Sequence, residues 1–163
     1  MGKKARVSGF INELGRLAKK MPDKRAGRHN QTYSMADAIR GAFSVFHMQS
    51  ASFLAHQRSM AQKRGRSNLE SVFKLQQIPS DTHIRNMLDG VSATHLEGAY
   101  EWLWKQLDQD KQLAKFRTIG GRLLVGLDGI QFFSSAKIHC EQCSRQEIEG
   151  KTRYHHRALT ALV

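Results

Sequence analysis

Apolar residues recur at helical spacing through the first 115 positions. Val7, Phe10, Ile11, Leu14, Leu17 and Ala18 share one face of a 3.6-residue repeat, which predicts an amphipathic helix over residues 5–20. Met21-Pro22 ends it, since proline brings no amide hydrogen and clashes with the preceding turn. Residues 22–33 read as a basic polar loop. Ile39, Ala42, Phe43 and Phe46 then place a second helix after Ser34, with a continuation to Phe53 and Leu54 in reach. Residues 61–68, AQKRGRSN, read as another basic loop. Ser67 and Glu70 have the spacing of a capping box, opening a helix that buries Val72, Phe73 and Leu75. Pro79-Ser80-Asp81 opens a short helix with Ile84, Met87 and Leu88 inside, stopped at Gly90. Thr94 and Glu97 form a second box, before a helix carrying Leu96, Ala99, Tyr100, Leu103 and Leu107. Trp102 and Trp104 stand two residues apart on it, so they cannot both face one core.

The pattern changes after Phe116. Gly120-Gly121 breaks the helix, and Leu123, Leu124, Val125 and Leu127 make a continuous apolar run, as in a strand covered on both faces. Asp128 ends that run. On spacing alone, Asp128-Gly129 is a turn signal, because Asp-Gly is frequent in hairpins and a single carboxylate binds Mg²⁺ poorly. Gly150-Lys151 marks a turn, and Thr152 to Val163 reads as a second strand. The expected class is α+β, a helical N-terminal region followed by a β-hairpin. The expected divisions are 1–66, basic and helical; 67–115, helical; and 116–163, the strand region.

Charge sharpens the picture. The 163-residue chain has a net charge of +12. Residues 1–66 hold 14 Lys and Arg against 3 Asp and Glu, and residues 67–163 hold 12 against 11. An excess so concentrated costs self-repulsion and points to a polyanion, most often nucleic acid. The candidate phosphate contacts are Lys3, Lys4, Arg6, Lys19, Lys20, Lys24, Arg25, Arg28, Lys63, Arg64 and Arg66. The longest apolar run is too short for a bilayer, and the start of the chain lacks the apolar centre of a signal peptide. No membrane partner and a cytoplasmic, nucleoid-associated protein are expected.

In that compartment two cysteines are reduced thiols or metal ligands. His139, Cys140 and Cys143 have zinc-ligand spacing, and His155 or His156 on the next strand completes the set across the hairpin. No thioredoxin-like strand–helix order surrounds the Cys-x-x-Cys, which argues against a redox role. Ser134 and Ser135 lack a nucleophile elbow, and Gly120-Gly121 lacks the Lys-Ser/Thr of a phosphate loop. Phe132-Phe133 reads as core.

Three segments, in order, resemble bacterial insertion-sequence transposases of the DDE type, whose catalytic domain is ribonuclease H-like. They are MADAIRGAFSVFHMQSASFL (35–54), IPSDTHIRNMLDGV (78–91), and GRLLVGLDGIQFFSSAKIHCEQC (121–143) followed by GKTRYHHRALTALV (150–163). The resemblance implies that residues 116–163 begin a ribonuclease H-like domain and that Asp128 is its first catalytic carboxylate. That residue would bind Mg²⁺ for phosphodiester cleavage and strand transfer. It also implies DNA partners at transposon ends, with self or full-length transposase as a protein partner. The second and third carboxylates are missing, since Glu141, Glu147 and Glu149 lie between the strands. Ile130 stands where threonine is expected, CEQC lacks the expected proline and histidine, and His156-Arg157 replaces His-Gln. The expectation is therefore a truncated, inactive copy. The alternatives are a non-catalytic nucleic-acid-binding protein with a zinc hairpin, or an inhibitory partner of full-length transposase.

Overall fold

The computed structural model describes residues 3–25 and 32–162. It is α+β and divides into two compact units, Met1–Asp110 and Lys111–Val163. No described helix is long and apolar enough to cross a membrane.

The described residues of the first unit form six α-helices: α1 (Lys3–Ala18), α2 (Met35–His47), α3 (Phe53–Ala61), α4 (Lys63–Ser71), α5 (Asp81–Leu88) and α6 (Glu97–Gln109). Leu14, Leu17 and Ala18 of α1 pack with Met35, Ala38 and Ile39 of α2, Met87 of α5 and Ala99 of α6. Ile11 meets Met60, Leu69, Phe73 and Leu75 in a second cluster, and Phe43 touches both. Phe10 joins Phe43 (ring centroids 5.3 Å apart) to Trp102 (6.3 Å). Of the two tryptophans, Trp102 is half-buried and Trp104 is exposed.

Several expected boundaries move. Ser34 caps α2 with a complete box to Asp37, but the helix does not continue to Phe53 and Leu54. It stops at Met48, Gln49 takes a positive φ of 51°, and Ser52 caps a new helix. Phe46, expected inside, is 73% exposed at that end. The loop expected over 61–68 is largely helix α4, so Ser67 lies inside a helix and caps nothing. Phe73 and Leu75 are buried as expected, yet they follow the helix, across Lys74 at φ 58°. The cap before α6 is Ser92 rather than Thr94, and it opens a 3-10 turn over Ala93–Leu96. Tyr100, expected inside, faces solvent.

His56 is the buried polar node of this unit. It is 0% exposed, its Nε2 lies 2.8 Å from Ser44 Oγ, and its Nδ1 lies 2.8 Å from Ser50 Oγ. Ser44 Oγ donates to the Gly41 carbonyl at 2.7 Å. A hydroxyl has one proton, so towards the ring Ser44 accepts. Nε2 therefore carries the hydrogen and Nδ1 accepts from Ser50. Burial lowers the pKa of the ring, because the charged form loses its water.

The second unit carries a three-stranded antiparallel sheet in the order β1-β3-β2, built from β1 (Gly126–Ser135), β2 (Ser144–Ile148) and β3 (Lys151–Leu162). The expected two-stranded hairpin is thus corrected. Glu149 (φ 52°) and Gly150 (φ 72°) make a two-residue turn from β2 to β3, with the paired positive φ of a type I′ hairpin. β1 pairs with the other edge of β3. The first strand starts at Gly126, three residues later than the apolar run at Leu123, and continues through Asp128-Gly129 without turning. Leu124, Val125 and Leu127 are 73%, 49% and 67% exposed, so the run is not covered on both faces.

Candidate metal centre and basic surface

β1 and β2 lie on opposite edges of β3, so residues 136–143 must cross the middle strand to connect them. Ser135 Oγ starts the crossover by accepting from the amides of Lys137 (3.1 Å) and Ile138 (2.9 Å). A tight turn follows, in which the Cys143 amide donates to the Cys140 carbonyl (3.1 Å) and the Cys140 amide donates to Cys143 Sγ (3.3 Å). Side chains alternate along a strand, so Tyr154 and His156 share the face opposite His155. A register shift between Gln131 and Phe133 sets Phe133 opposite His156, with ring centroids 5.8 Å apart. Without that bulge Phe133 would meet His155.

Cys140, Cys143 and His156 come together as a result. The two sulfurs are 3.9 Å apart, and His156 Nε2 is 3.3 Å from each. Tetrahedral zinc, with bonds of about 2.3 Å to sulfur and 2.0 Å to nitrogen, separates its sulfurs by about 3.8 Å and sulfur from nitrogen by about 3.5 Å. The observed triangle matches within a few tenths of an ångström. These three residues form a Cys₂His group able to hold a metal ion, and among the described residues no other group of three is brought together. An open hollow of about 350 Å³ beside it is lined by Phe133, Ile138 and His139 as well as the three ligands. His139 is not a member of the group: its ring stacks on Tyr154 (4.2 Å, 16°) and its Nδ1 donates to the Lys137 carbonyl (3.1 Å). His155 is buried on the other face.

Asp128 is the third residue of β1, inside the strand rather than at its tip. It is exposed, and its main-chain carbonyl accepts from Thr160 Oγ1 at 3.1 Å. Among the described residues no metal-capable group of three includes it, so the arrangement gives Mg²⁺ no support. Glu141, Glu147 and Glu149 are exposed as well.

The basic candidates separate into three sets. Arg28 lies outside the described residues, as do the side chains of Lys3, Lys4, Arg6 and Lys63. Arg25 is held by Asp23 (2.6 and 2.8 Å) and the Tyr33 carbonyl (2.9 Å), which neutralises it as a phosphate contact. Lys19, Lys20 and Lys24 are exposed near the end of α1, and Arg64 and Arg66 are exposed on α4. Sequence reading missed α4 because its period is almost wholly polar. Among its described residues only Gly65 and Leu69 are buried. Gly65 is required there: a Cβ would lie 2.1 Å from the Ser59 carbonyl oxygen, so α4 crosses the end of α3 backbone to backbone. A hollow of about 310 Å³ beside them is lined by Gln57, Arg66, Gln76 and Gln77 together with Met60, Ala61, Leu69 and Ile78.

The unit boundary at Asp110 also redistributes the charge. Residues 1–110 hold 17 Lys and Arg against 10 Asp and Glu, and residues 111–163 hold 9 against 4. Both units are therefore basic, which a division at residue 66 conceals. In comparisons with family models, curated proteins and solved structures, the chain matches none.

Proposed function

We propose that this chain is a DNA-binding protein of the DDE-transposase type, that it docks on duplex phosphates through its helical unit with α4 as the leading element, and that its Cys₂His group takes Zn²⁺. The observation that carries the reading is α4 itself. A nine-residue helix commits two positions to packing and presents Arg64, Arg66, Ser67 and Glu70 to solvent. Guanidinium groups on an exposed helix suit phosphate oxygens and groove edges, and the glutamine-lined hollow alongside adds neutral donors and acceptors. The ordered resemblance of residues 35–54, 78–91 and 121–163 to transposases supplies the class. Asp128 is the position which that resemblance assigns to Mg²⁺. Among the described residues no metal-capable group of three includes it, so the function supported is binding rather than cleavage.

Anisotropy of a labelled duplex, titrated with the full chain across a salt series, tests this. Each phosphate contact releases counterions worth a slope of about 0.9 in log K against log salt. Arg64→Ala with Arg66→Ala should weaken binding and flatten the slope by about 1.8. An unchanged slope overturns the assignment of α4.

A further inference from the structure

We infer that the sheet of residues 126–162 is built around its metal: one Zn²⁺ on Cys140, Cys143 and His156 supplies the closure that a hydrophobic core supplies elsewhere. This rests on the zinc reading of the Cys₂His group and adds a consequence for folding. Within the second unit the only described residues that are buried are Leu113 and His155, so none of the described apolar side chains of the sheet is buried. Leu127, Ile130, Ile138, Ile148, Leu159 and Leu162 are all between 43% and 71% exposed. A small sheet without a covered apolar face is marginal in water, and small domains of this kind are held by disulfides or metals.

The position of the three ligands gives the metal its leverage. Cys140 and Cys143 belong to the crossover, and His156 belongs to the strand being crossed. A metal shared among them ties the connection between the two edge strands to the middle of the sheet. The crossover has few other anchors: among the described residues its main-chain bonds are local, from the Lys137 and Ile138 amides to Ser135 Oγ, from the Cys140 amide to Cys143 Sγ, from the Cys143 amide to the Cys140 carbonyl and from His139 Nδ1 to the Lys137 carbonyl. Because the unfolded chain scatters these ligands, binding free energy becomes folding free energy. The donors select the ion: two thiolates and one imidazole at tetrahedral spacing favour Zn²⁺ over the hard cations Mg²⁺ and Ca²⁺.

The test uses the full chain, stripped with chelator under reducing conditions. Co²⁺ absorption and Zn²⁺ competition read binding, and amide hydrogen exchange reads residues 126–135 and 151–162. One ion per chain should bind. At free Zn²⁺ about 100 times its Kd, linkage raises the folded-to-open ratio about 100-fold, and exchange in both segments should slow by the same factor. Exchange in the helices of residues 1–110 should not change. Cys143→Ser and His156→Ala should abolish the effect, His156→Cys should retain it, and His139→Ala should behave as the unmodified chain. Stoichiometric binding with no change in exchange overturns the folding inference and leaves the zinc reading standing. Absence of binding overturns both. Loss of the ion in His139→Ala, with retention in His156→Ala, overturns the ligand assignment.

Discussion

Ser44→Ala should destabilise the helical unit by about 2 kcal/mol, out of proportion to the loss of one oxygen atom. The hydroxyl accepts from His56 Nε2–H and donates to the Gly41 carbonyl, and both Ser44 and His56 are 0% exposed. Without it the ring N–H has no acceptor and no water to replace it. An unsatisfied buried donor costs about 1–3 kcal/mol. A cost of about 2 kcal/mol is roughly a 30-fold drop in the folded-to-unfolded ratio. Ser50 is half-buried, so water can replace its hydroxyl, and Ser50→Ala should cost less than about 1 kcal/mol. Changing His56 to leucine in the Ser44→Ala background removes the stranded donor, so the two losses should not add.

The same site sets a pH dependence. Burial holds the folded His56 pKa below its ordinary 6.5. As the pH falls below 6.5 the unfolded chain takes the proton before the folded chain does. Stability is then lost down to the folded pKa, at up to about 1.4 kcal/mol per pH unit. Urea unfolding followed by tryptophan fluorescence measures all of this. Trp102 and Trp104 both lie on α6, so the signal reports the first unit alone. A Ser44→Ala stability within about 0.5 kcal/mol of the unmodified chain would refute the hydrogen-bond argument. Equal pH slopes for His56→Leu and the unmodified chain would refute the protonation argument.

The same urea unfolding reads Gly65→Ala and Glu13→Gln. Gly65→Ala should destabilise the helical unit by about 3 kcal/mol, because backbone rather than a movable side chain lies 2.1 Å from the new carbon. Gly129→Ala meets nothing within 4 Å and should leave the sheet intact by circular dichroism. A hydrogen bond and charge from Arg16 hold Glu13 below 4.5, so its contribution is present above that pH and lost as the pH falls through the folded value. Glu13→Gln should therefore flatten the acid limb of the stability curve below pH 4.5. With Mg²⁺ and supercoiled plasmid the chain should show no nicking; nicking that disappears in Asp128→Ala would show that Asp128 finds partners in solution.

Local pattern was enough wherever one side chain or one period decided the outcome. Ser34 and Ser80 set helix starts through bonds to their own neighbours, and the Leu14–Leu17–Ala18 stripe had to find a core. The Cys-x-x-Cys spacing likewise announced a half-site. What the pattern left open depended on partners far along the chain. α4 is helical despite its polar sequence because Leu69 joins Ile11 and Met60, and because Gly65 lets two backbones meet, neither of which leaves a periodic trace. The choice of His156 over His155 and His139 depends on which face of β3 the crossover passes. Sequence spacing gives those histidines equal standing, and only the order β1-β3-β2 and the bulge before Phe133 separate them. Asp128 shows the opposite limit. A carboxylate after an apolar run looked like a strand tip, but hydrogen bonding to β3 carries the strand seven residues further, because pairing is settled by the partner strand and not by the strand's own hydrophobicity.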